Sequence, residues 1–233
     1  MIKASYILLF VALLIILLWG LNSALKKIGS TPSKRNRVLV LTTVGIFSWL
    51  ALQFFIWKTG FYYDLSFPPR IPLFMVLPVF LFIMTFIIRN RNHKIFASIP
   101  IAFPIAAQSF RAVIEVLFYF TFINGILPVQ VTFEGANYDV LIGISAVPMA
   151  MYASRPNASK KVLLAWNIIG ILVVLFAAFT FISSFYFPSI WGNTGIPLEF
   201  NQFPYLLLPT FLMPFAVFLH VLSIAQLIQK RKI

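Results

Sequence analysis

Apolar residues fall in long blocks broken by short polar clusters. The blocks cover 4–25, 38–57, 72–88, 99–124, 140–154, 162–187 and 204–228. About 20 apolar residues in helical form cross a bilayer core of about 30 Å. The pattern therefore predicts an all-α fold: one integral membrane bundle of seven transmembrane helices over 1–233, with no soluble domain. Blocks 72–88 and 140–154 are the shortest, and the second contains Pro148. Pro100 and Pro104 lie in the first turns of 99–124, where missing amides cost least, and Pro104 is placed to kink that helix. Lys3 followed by an apolar run resembles a signal peptide, but cleavage would strand the basic cluster behind it outside, so an uncleaved helix is expected.

Composition agrees with this reading. The chain is 61% hydrophobic, only 10% charged, and its mean hydropathy is +0.96. The formal charge of +13 would suggest nucleic acid in a soluble chain. Here the positions of the charges matter more. Loops of one parity carry Lys26, Lys27, Lys34, Arg35, Arg37, Arg89, Arg91, Lys94, Arg155, Lys160, Lys161, Lys230, Arg231 and Lys232, and no acid. The other parity carries Lys3, Lys58 and Arg70 beside Asp64, Glu134, Asp139 and Glu199. The positive-inside rule then places the chain's start outside and its end in the cytoplasm. A six- or eight-span count would break this alternation. No nucleic-acid partner is expected; the partner is the bilayer, and the oligomeric state is left open.

Three polar groupings interrupt the apolar pattern. Gln108, Arg111 and Glu115 lie within about 60° of one another on the helix 99–124, since each residue advances 100°. Arg111 and Glu115 are spaced i, i+4 and are expected to pair. Charge at such depth faces protein or water, not lipid. Arg111 lies roughly 20 Å along its helix at 1.5 Å per residue. Gln53, in the stripe Trp49–Gln53–Trp57, lies at the same level on the second helix, so a Gln53–Arg111 contact is expected. His220 sits nearer the inner end of the seventh helix, with Asn167 in reach. Either a structural ion pair or a ligand-binding or proton-relay site fits Gln53, Gln108, Arg111 and Glu115.

The second grouping is 132–139, with Glu134, Asn137 and Asp139. It reads as a turn leading into a helix, Asn137 or Asp139 serving as N-cap. The alternative is an outer rim of oxygen ligands, for which a calcium loop would need more acids at set spacing. The third is the aromatic, glycine-bearing loop 190–199, an interfacial anchor or an outer lid. There is no cysteine. With two histidines far apart, no metal site is expected, and no cofactor is implied. The seven-span layout is that of microbial rhodopsins, yet 204–228 contains no lysine for a retinal Schiff base.

The run 108–115, QSFRAVIE, followed by 128–139, PVQVTFEGANYD, resembles a pattern in uncharacterised bacterial multi-span membrane proteins. The resemblance implies a bacterial cytoplasmic membrane and carries over no catalytic residue. The function expected from the residues is a polytopic, non-enzymatic protein whose buried polar site binds or passes a small anionic ligand or protons. Two alternatives stand beside it: an enzyme acting on a lipid or isoprenoid at the outer leaflet, with Glu134 or Asp139 as acid or base, and an accessory subunit of a membrane complex.

Overall fold

In a computed structural model, residues 1–192 and 197–229 are described. They form nine α-helices: α1 (Ile2–Lys27), α2 (Pro32–Lys58), α3 (Leu77–Asn90), α4 (Lys94–Ser98), α5 (Ala102–Ala107), α6 (Phe110–Ile123), α7 (Asp139–Ala153), α8 (Lys160–Tyr186) and α9 (Met213–Ile228). Counting the π-helical turns that open α3 and α9, and α5–α6 as one, six helical segments are long and apolar enough to cross a membrane. This is a polytopic, all-helical, membrane-type architecture.

The helix α7 has 15 residues, about 22 Å at 1.5 Å per residue, which is less than a bilayer core. The sequence-predicted helix 99–124 also differs: it breaks at Gln108–Ser109. There the backbone tightens to i→i+3 bonds, Gln108 N–H to the Ile105 carbonyl at 3.1 Å and Arg111 N–H to the Gln108 carbonyl at 3.0 Å.

Contacts fix the relative directions of the helices. The Tyr6 hydroxyl meets Thr121 Oγ1 at 3.0 Å, while Gly20 packs on Phe103, so α1 and α5–α6 are antiparallel. Tyr138 stacks on Phe176, and Ser159 N–H donates to the Tyr152 hydroxyl at 2.8 Å, so α7 and α8 are antiparallel. The described cations of the basic loops gather at the bundle end where α1, α3, α7 and α9 finish. Lys230, Arg231 and Lys232 lie outside the described residues.

The segment between α6 and α7 does not stay at the surface. It folds back beside α6 until Asn137 meets Glu115, eight residues before Ile123, or about 12 Å below the end of α6. Non-helical backbone is tolerated at that depth only where protein or water covers its polar groups. Here Val131 and Thr132 are buried, and the Val131 and Thr132 carbonyls accept bonds from Asn137. Gly143 then lies so close to the Ala112 backbone that a Cβ would collide with it. Ala146 and Ala150 continue this small-residue face onto α5, the close approach that membrane helices use for packing.

Two prolines set the geometry at the other end of the bundle. Pro78 and Pro214 have no N–H to offer the carbonyls of Phe74 and Thr210. The residues just ahead form π-helical turns, Pro72–Val76 and Leu208–Leu212. The helix α2 caps both carbonyls: Gln53 Nε2 donates to Phe74 O at 3.2 Å, and Trp49 Nε1 to Thr210 O at 3.2 Å. Gln53 is thus the buried residue of a helix otherwise turned outward. It also accepts from the Tyr62 hydroxyl. The expected Gln53–Arg111 contact is not made, because the proline-freed carbonyl takes the amide.

Candidate functional site

Inside the bundle, a buried polar chain runs through α6, the head of α7, α8 and α9. Arg111 is its centre and is only 1% exposed. Its Nε donates to Asp139 Oδ2 at 3.1 Å and its Nη2 to Asp139 Oδ1, a bidentate ion pair. Its Nη1 reaches the Gly170 carbonyl at 3.4 Å and His220 Nε2 at 3.0 Å. His220 Nδ1 lies 3.0 Å from Asn167 Oδ1, and Asn167 Nδ2 donates to Leu163 O at 2.8 Å. This amide orientation assigns the proton to Nδ1, which leaves the Nε2 lone pair to accept from Arg111. Gly170 makes the contact possible, because a Cβ there would run into the imidazole.

The expected Arg111–Glu115 pair is not formed. Helical side chains lean toward the N-terminus, and the order Arg then Glu at i, i+4 is the less favourable one. The guanidinium goes instead to Asp139, which sequence reading set on the outer side, in a turn entering a helix or, alternatively, in an outer rim. Folding of 125–138 into the bundle carries Asp139 inward, where its carboxylate is 13% exposed. As the first residue of α7, it also gains from the positive end of that helix.

Glu115 is fully buried and has a different partner. Its Oε1 accepts from Asn137 Nδ2 at 2.6 Å, and its Oε2 has no hydrogen-bond partner among the described residues. Asn137 links the Glu115 carboxylate to the backbone at the head of α7, since its Oδ1 accepts the Asp139 N–H at 3.1 Å. This bond closes the turn into α7, but the N-cap is Tyr138, with no side-chain cap bond, and not the expected Asn137 or Asp139. Gln108 sits at the α5–α6 break and donates to the Ala216 carbonyl at 2.9 Å, tying the break to α9. Glu134 is exposed and stands apart from the chain. Asn193, Thr194, Gly195 and Ile196 of the expected lid lie outside the described residues. Trp191, just before them, donates to Ser183 Oγ at 2.8 Å.

A cavity of about 30 Å³ adjoins the ion pair, with Arg111 and Asp139 in a wall otherwise made of residues such as Ile114, Phe118 and Val174. That is room for about two waters, taking 10–15 Å³ each on this measure. No cluster of three metal-binding side chains occurs among the described residues. The arrangement offers hydrogen bonding and three ionisable side chains, Glu115, Asp139 and His220, around a guanidinium.

Sequence reasoning missed Asn137 as the bridge and Gly170 as the space for His220. The signal for the first was the pair Asn137-x-Asp139 ahead of a helix too short to span. The signal for the second was a glycine inside a long apolar helix.

A family model described as a domain of unknown function (DUF8737) matches residues 68–228. The match takes in α3 to α9 and every member of the polar chain. No curated protein and no solved structure matches the chain.

Proposed function

The chain belongs to the DUF8737 family, and within it we propose a seven-pass protein of a bacterial cytoplasmic membrane whose interior carboxylate, Glu115, exchanges protons. In this reading, the segment 125–138 together with α7 makes the fifth pass, and the basic end of the bundle faces the cytoplasm. The antiparallel helix directions and the segregation of cations support that arrangement.

One observation carries the proton reading. Asp139 takes Arg111, so Glu115 is a second interior carboxylate with no ion-pair partner of its own among the described residues. A buried charge without a partner is costly. Its balance has to come from something mobile, and the smallest such cation is a proton. Binding of a small anion at Arg111 has less support, since Asp139, His220 and Gly170 occupy four of the five guanidinium N–H groups. Acid–base chemistry by Glu134 or Asp139 on a lipid has less still. Glu134 is exposed, and both Asp139 oxygens are engaged by Arg111.

Infrared difference spectroscopy of the reconstituted protein tests this. A carboxylic-acid C=O band that changes with pH, is lost in Glu115→Gln and persists in Glu134→Gln is the expected result. Superimposable spectra of the parent protein and Glu115→Gln at every pH would overturn the reading.

A further inference from the structure

The larger of two neighbouring cavities lies beside the ion pair, not on it. It measures about 60 Å³ and is walled by the opening turns of α3, the last turns of α8 and the opening turns of α9. Its lining is almost wholly apolar. Val76, Ala178, Ile182 and Phe185 line it and keep partial exposure on these membrane-type helices. Phe181, Leu208 and Met213 line both this cavity and the smaller one at Arg111 and Asp139. These three residues stand between a gap at the bundle surface and the ion pair.

Two further observations point to a ligand. Both π-helical turns contribute to this wall, through Pro72, Val76 and Leu208. Such turns are rare and recur at functional sites. Arg111 also retains one Nη2 N–H without a partner among the described residues.

We propose that the two cavities form one lateral site for a single-chain amphiphile that enters from the bilayer between α3 and α8. The larger cavity, with room for about four to six waters on the same scale, takes the first carbons of the apolar chain, and the rest extends into the bilayer. The head is an uncharged carbonyl, and it accepts the remaining N–H of Arg111 in the smaller one. An uncharged head matches the site because Arg111 and Asp139 already neutralise each other, and a second anion would face the Asp139 carboxylate. Entry requires Phe181, Leu208 and Met213 to rotate aside, and methionine is the adaptable member of that set. The proposal stands apart from proton exchange at Glu115, which does not line either cavity.

The test uses the full chain in liposomes with a fatty-acid methyl ester bearing a diazirine on the first carbons of its chain, next to the ester. Photolabelling is mapped by mass spectrometry. The expected result is labelling at Val76, Ile182 or Met213. An excess of unlabelled ester competes it away, and Ala178→Trp, which fills the groove, abolishes it. A diazirine hydrocarbon of equal length, lacking the carbonyl, labels these positions less. Should Ala178→Trp fail to fold, Ile182→Trp replaces it, and ester competition on the parent chain decides independently. Equal labelling by a diazirine phosphatidylcholine, or labelling that neither competitor nor groove-filling variant reduces, would show ordinary annular lipid contact and overturn the proposal. The Glu115 infrared band in the tryptophan variant is read separately, so either idea can fail without the other.

Discussion

Replacing Asp139 by asparagine probes the pairing on which the interior rests. The substitution keeps the size of the side chain and removes its charge. In the folded protein it leaves the Arg111 guanidinium, 1% exposed, with no counter-ion. Both Asp139 oxygens bond Arg111, and the carboxylate is 13% exposed, so little solvent screening softens the loss. Breaking one partner of a buried pair typically costs about 3–5 kcal/mol, because the other charge stays buried. Removing both charges behaves differently, since an apolar pair of similar volume is often neutral or better. Arg111→Met with Asp139→Leu is therefore expected to recover most of the stability that Asp139→Asn loses. Glu115→Gln should change stability by less than about 1 kcal/mol, because the Asn137 bond survives and no cation is orphaned. The assay is reversible unfolding by titrating denaturing detergent into mild micelles, read by circular dichroism. An Asp139→Asn protein within about 1 kcal/mol of the parent, or a double variant no better than the single, would refute the buried-pair reasoning.

Gly170→Ala should push the His220 ring off Arg111 and destabilise the bundle by about 1–3 kcal/mol, as overpacking of a close contact does; an unchanged unfolding midpoint would contradict the packing described. In the turn after α2, the Ser66 N–H bond and the neighbouring Arg70 hold the Asp64 carboxyl below its usual range. A depressed folded value contributes stability above the unfolded value near 3.8 and loses it as pH falls through the folded one. Hydrogen-exchange protection factors in 59–70, corrected for the intrinsic pH dependence, should therefore fall on acidification below that range, and Asp64→Asn should flatten the dependence. The chain has no cysteine, so single cysteines report topology cleanly. Lys34→Cys and Lys160→Cys should react with impermeant maleimide only from the cytoplasmic side, Asp64→Cys and Glu134→Cys only from the other. Labelling of Lys34→Cys and Lys160→Cys from opposite sides would remove the seven-pass reading.

The chain's own pattern determined the membrane class, the helical fold and the alternation of charged ends. These follow from block length and loop composition, which act locally and need no partner. It also singled out Arg111, Glu115 and His220 as out of place among apolar neighbours, because burying such groups is costly wherever they sit, and it marked Asn137 and Asp139 only as part of a turn leading into a helix or, alternatively, of an outer rim. Which of them meet was decided only by the tertiary structure. Helical spacing favoured Arg111 with Glu115, and equal depth favoured Arg111 with Gln53. The inward course of 125–138 brought Asp139 to the guanidinium instead, and Pro78 exposed a carbonyl that drew Gln53 away. Periodicity along one helix describes a face. It carries no record of a loop that leaves the surface, or of a proline on another helix that frees an acceptor.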